Sequence, residues 1–130
     1  MIVYQNSLYT FELVEDSQVL SFTWTIKTAE MTYENFQDAC SNYAGFAIEH
    51  SIQRLFVDTM DFRFQMPEEF VSWREQKLNP RYHRIGVKKF AYLMPKDIAD
   101  GLEELVPEDD TFTTSYFGSK KEALNWLTKD

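Results

Sequence analysis

In LFVDTMDFRFQMPEEF, residues 55–70, Asp58 and Asp61 follow an apolar run that reads as a strand, and Pro67 with Glu68 and Glu69 opens a helix. Carboxylates just past a strand end are where many phosphate and metal enzymes keep their chemistry, so this pair is the first candidate for catalysis. Its spacing argues against that use. One phosphatase motif needs two aspartates two apart with a threonine after them, and phosphoacceptor domains need a strand-end aspartate plus an acidic pair on an earlier strand; neither pattern occurs. A lone strand-end aspartate more often bonds nearby turn amides, which is the role expected of Asp58. Glu68 and Glu69 suit the positive end of a helix dipole.

Other reactive residue types are sparse. Cys40, the single cysteine, shares a helical stripe with Phe36, Tyr43 and Ala47, so it is expected to be a buried thiol packed as a small apolar group. His50 and His83 stand far apart in the chain with no cysteine or carboxylate at ligand spacing, and neither a metal site nor a cofactor is expected. Arg74, Lys77, Arg81 and Arg84 recur at three, four and three residues, which would align one helical face if Pro80 did not intervene. The strip reads as a solvated face; its functional alternative is docking of an acidic partner, such as the acidic N-terminal half of a second copy. Phe62 and Phe64 alternate with Arg63 and Gln65, so this segment has one apolar side, for core packing or for contact with a partner or ligand. Asp61, Phe62, Arg63, Phe64 and Gln65 together with the four basic residues make the candidate interaction surface.

The rest of the chain must position these residues. At 130 residues it fits a single domain, 1–130, with enough bulk for a real core. A net charge of −8 repels phosphate backbones and argues against nucleic acid as partner. The charge is uneven: residues 1–60 carry only Lys27 and Arg54 as basic residues, whereas residues 74–89 carry six basic residues against Glu75 alone. No segment approaches the roughly 18 apolar residues of a membrane span, and the start MIVYQNSLYTFELVED lacks the basic and apolar parts of a secretion signal, so a cytoplasmic location without membrane insertion is expected.

Period-two alternation of Tyr9, Phe11, Leu13 and then Leu20, Phe22, Trp24 predicts a hairpin with a loop of about four residues. MTYENFQDACSNYAGFAIEH changes to a helical period, with Thr32 as N-cap, Met31 and Phe36 spaced for a staple, and an end between Tyr43 and His50 near Gly45. RLFVDT and KKFAYLM read as buried strands. The helix after Pro67 is expected to reach Leu78 and to break or kink at Pro80. PKDIADGLEELV reads as a helix with Ile98, Leu102 and Leu105 on its inner face, PEDD as loop, TFTTSYF as strand, and GSKKEALNWL as a helix opened by a Ser119–Glu122 capping box. The order β-β-α-β-α-β-α-β-α predicts an α/β fold: an N-terminal hairpin, then a mixed, mostly parallel sheet with helices packed on it.

This order, with RLFVD, the aromatic loop leading to Trp73, HRIGVKKFAY and the closing SKKEALNWL, resembles the SpoIIAA-like branch of the STAS superfamily, small bacterial domains some of which carry a STAS/SEC14 label. The resemblance implies a βα superhelix and a role as a protein-interaction switch. Its founding members are phosphorylated on a serine at the start of the helix after the third strand. Here residues 60–71 contain neither serine nor threonine, so that switch chemistry does not carry over. The lipid-transfer role attached to the SEC14 label implies a large cavity, which a chain of this length is expected hardly to enclose. The primary expectation is a non-enzymatic interaction or self-association module. The alternative is a binder of a small apolar ligand or lipid in an aromatic-lined pocket near residues 62–73.

Overall fold

The computed structural model describes residues 1–102 and 112–129. Six strands, β1 (Ile2–Gln5), β2 (Tyr9–Val14), β3 (Val19–Trp24), β4 (Arg54–Asp58), β5 (Lys89–Leu93) and β6 (Thr113–Phe117), lie side by side in the order of the sequence. β1, β2 and β3 are antiparallel; β3, β4, β5 and β6 are parallel. The fold is therefore α/β with a mixed, mostly parallel sheet. The four-residue hairpin loop, residues 15–18, turns with Gln18 at φ 54°.

β1 departs from the expected order, which began with the hairpin. Its residues are mostly exposed and its register against β2 is interrupted between Ile2 and Tyr4. An irregular edge strand buries too little on either face to leave an alternating pattern in sequence.

The helix α1 (Tyr33–Glu49) starts at Thr32, whose hydroxyl accepts from Asn35 N–H while the Asn35 side chain accepts from Thr32 N–H. That reciprocal pair satisfies two amides that a helix start leaves orphaned. Phe36, Ala39, Tyr43, Ala44 and Ala47 form its buried stripe. Gly45 does not end it; the last helical residue is Glu49, with His50 as C-cap stacked on Phe46.

Pro80 does not end the second helical region, but the α-helix is interrupted ahead of it. α2 (Phe70–Trp73) runs into a π-helical turn (Arg74–Leu78) and on into α3 (Asn79–Arg84), with Pro80 in the first turn of α3. A proline clashes with the carbonyl four residues earlier and supplies no N–H; a widened turn relieves both, and burial of Leu78 and Tyr82 on either side holds the helix in place. α4 (Lys96–Ala99) is a single turn, and its inner face is not the expected one: Ala99 is 5% exposed, Ile98 54% and Leu102 45%. Leu105 and the PEDD segment lie outside the described residues. α5 (Lys120–Thr128) is capped by the Ser119 hydroxyl, which accepts from Glu122 N–H at 3.4 Å.

Register divides the side chains between two faces. Leu20, Leu55, Phe90 and Thr114 form one row on the first face, and Phe22, Val57, Tyr92 and Tyr116 the next. α1 and the α2–α3 region cover this face, because right-handed crossovers advancing in one direction return their helices to the same side. The opposite face carries Val19, Phe56, Ala91 and Leu93, closed by Ala123 and Leu127 of α5.

Candidate functional site

The acidic segment is a structural strap. Asp58 accepts from Met60 N–H at 3.0 Å, as its position at a strand end favours. Thr59 ties the strand end to its neighbour through both hydroxyl and amide, which donate to Leu93 O at 2.7 and 2.8 Å. Arg63 N–H donates to the hydroxyl of Thr28, a residue with no exposure at all, which donates in turn to Thr25 O. Asp61 points to solvent, so the two aspartates share no environment. Among the described residues no three His, Cys, Asp or Glu side chains gather at metal-binding distance.

Beneath this strap lies a cavity of about 530 Å3 between the sheet and the α1 and α2–α3 helices. Its floor is the row Phe22, Val57 and Tyr92 with Phe90, and its buried wall includes Tyr43, Leu78 and Tyr82. Aromatic residues supply about half of the lining. Met66, 49% exposed, and the exposed Glu75 mark the mouth. The cavity is open on one side, so the chain does not enclose it. Rings dominate the covering contacts: Trp24 and Phe62 stand 5.0 Å apart between centroids, Phe36 and Phe70 4.8 Å, Phe36 and Phe64 5.4 Å.

A few polar groups break the apolar lining. Cys40 is partly rather than fully buried, because its stripe on α1 faces the cavity; desolvation pushes its thiol up to about 12, opposed by the charge of Arg74. Burial likewise pushes the Tyr82 and Tyr92 phenols up, with Arg74 opposing the shift at Tyr92. Both phenols are therefore neutral donors at physiological pH, and neither makes a hydrogen bond among the described residues. Tyr43, by contrast, is spent on the scaffold: its hydroxyl donates to Leu20 O and accepts from Phe56 N–H, tying β3 to β4.

The structure separates the residues of the expected interaction surface. Phe62 and Phe64 turn inward, and Phe62 lines the cavity, whereas Asp61, Arg63 and Gln65 face solvent. The basic strip divides as well. Arg74 lines the cavity with its guanidinium 5.7 Å from the Phe70 ring; Arg81 donates to Ser41 O of α1; Lys77 and Arg84 are exposed. A π-helical turn inserts one residue and rotates the rest of the helix by about 100°, which breaks a strip drawn at α-helical spacing. Phe90, Tyr92, Thr114 and Tyr116 went unnoticed as site residues in sequence. Their only signal was alternation in KKFAYLM and TFTTSYF, which says that one strand face is aromatic without saying that the face is left open.

No helix among the described residues is long and apolar enough to cross a membrane. Comparison with known proteins finds no matching family model, no matching curated protein and no matching solved structure.

Proposed function

We propose that the protein is a non-enzymatic, cytoplasmic binder of a small apolar molecule, held in the cavity beneath the strap of residues 59–70. The observation that carries this reading is the cavity itself. Its volume of about 530 Å3, its largely aromatic lining and its few unbonded polar groups match the proportions of small-molecule sites. A domain optimised only for stability would lose this space, since unfilled volume lowers stability by forfeiting contacts. The interaction module implied by the STAS-like resemblance, with another protein or a second copy as partner, is the second reading; the exposed Asp61, Arg63 and Gln65 remain available to it.

The test is titration with the neutral dye N-phenyl-1-naphthylamine. Trp24 lines the cavity, whereas Trp73 and Trp126 do not. Saturable dye fluorescence at one site per chain, with quenching of tryptophan emission, is the expected result. Thr114→Phe, which fills the cavity from β6, should weaken dye binding at least tenfold while leaving the folded protein intact by circular dichroism. Absence of saturable binding, or binding indifferent to Thr114→Phe, removes the ligand reading and returns the question to the exposed surface.

A further inference from the structure

Resting on that reading, we propose that the ligand is an apolar acid whose carboxylate pairs with Arg74 at the cavity rim while its hydrophobic body lies among the aromatic side chains. Among the described residues, Arg74 is the one cationic member of the lining. It is partly buried, and among those residues it makes neither ion pair nor hydrogen bond; its only partner there is the face of Phe70. A guanidinium withdrawn from water without a carboxylate is an unfinished arrangement, because partial desolvation is offset only by pairing. The π-helical turn begins at this residue, and such turns are rare and concentrate at functional sites.

Donors around it favour the same ligand. Arg74 lies close enough to Tyr92 and Cys40 to influence both electrostatically, and the Tyr92 and Tyr82 phenols carry unused protons. A planar carboxylate accepts two parallel bonds from guanidinium and has lone pairs left for a phenol. One positive charge matches a monoanion; a phosphate ester, with nearly two charges, would leave excess negative charge among aromatic rings. Glu75, the single acidic residue of the lining among those described, is exposed at the mouth, where water solvates it. The amphipathic shape of the site, charged at the rim and apolar at the floor, is the shape of the ligand.

Calorimetric titration with 2-naphthoate, 2-naphthamide and 2-naphthyl phosphate tests this on the full chain. Naphthoate should bind about 10- to 100-fold more tightly than the amide, as charge-assisted hydrogen bonds add over neutral ones. Arg74→Met should abolish that preference while amide and N-phenyl-1-naphthylamine binding persist, and Arg74→Lys should restore part of it. Lowering the pH until the acid is protonated should erase the preference in the wild type without weakening the amide. Equal affinity for acid and amide alongside intact dye binding overturns the inference and leaves the cavity's function standing. Tightest binding of the phosphate, or an equal loss of acid and amide in Arg74→Met, overturns it too. If even the neutral dye fails to bind, the underlying reading falls and this inference with it.

Discussion

The two faces of the sheet solve the same packing problem with different materials. On the α5 face, Val19, Phe56, Ala91, Leu93, Ala123 and Leu127 leave no more than 6% of any member exposed, and small residues from strand and helix let the two layers approach. On the other face the strands present Phe22, Trp24, Phe90 and Tyr92, and the helices answer with Phe36, Tyr43, Phe70 and Tyr82. The first packs around small and aliphatic groups; the other borders a cavity that opens to solvent. The backbone alternation is the same for both, so the difference lies in side-chain shape and in the helix laid over them. Small and aliphatic groups pack the first face, and tilted ring pairs line the second.

Titration should break this symmetry most strongly. Cys40, Tyr43, Tyr82 and Tyr92 have raised values, and all belong to the aromatic face. In the unfolded chain the thiol ionises near 9.0 and the phenols near 10.0, while in the folded protein they keep their protons to higher pH. Below about pH 8 neither state ionises appreciably and these groups add no pH dependence; above it the unfolded state is favoured and stability falls as pH rises, gently at first and steeply once the phenols of the unfolded chain ionise. The urea midpoint should hold between about pH 7 and 8 and drop steeply from about pH 10 to 12. Replacing both Tyr82 and Tyr92 with phenylalanine should flatten that drop, and a flat wild-type profile would contradict the burial of these groups.

Truncation of the closed face should come next in size. Leu127→Ala removes a fully buried aliphatic side chain and should lower the unfolding free energy by about 2–5 kcal/mol in urea denaturation. A loss near the transfer value alone would show that α5 settles into the gap.

Enlargement separates the faces with the smallest effects and opposite expectations. Ala123→Leu forces carbons into a filled layer and should destabilise by about 1–3 kcal/mol. Thr114→Leu on the cavity side should change stability by less than about 1 kcal/mol, because the added carbons enter existing space. Equal penalties, read from urea midpoints at constant slope, would mean that the cavity side is as tightly filled as its opposite.

Much of the scaffold was legible residue by residue. Thr32 and Ser119 mark helix starts because a hydroxyl at the cap satisfies amides nearby in sequence, and the hairpin of Tyr9, Phe11, Leu13 with Leu20, Phe22, Trp24 declares itself by period. Ile98 misled because a one-turn helix has no stripe to read; only docking against β6 chose Ala99 as the inner residue. Pro80 was legible in part: the helix widens into a π-helical turn ahead of it but does not stop. The local rule weighs a lost hydrogen bond and a clash, but not the burial of Leu78 and Tyr82 that keeps the helix running through both.

The sequence by itself determined the α/β element order, the strand faces and the helix caps, all of which depend on interactions within a few residues or on a period of two or 3.6. Tertiary structure alone decided that the aromatic face would border an open cavity, that Cys40 would line it instead of a sealed core, and that Arg74 would leave the basic strip to stand at its rim without an ion pair among the described residues. Those outcomes are gaps and distances between α1, the α2–α3 region and strands far away in the chain, and no local pattern encodes the space that packed groups fail to fill.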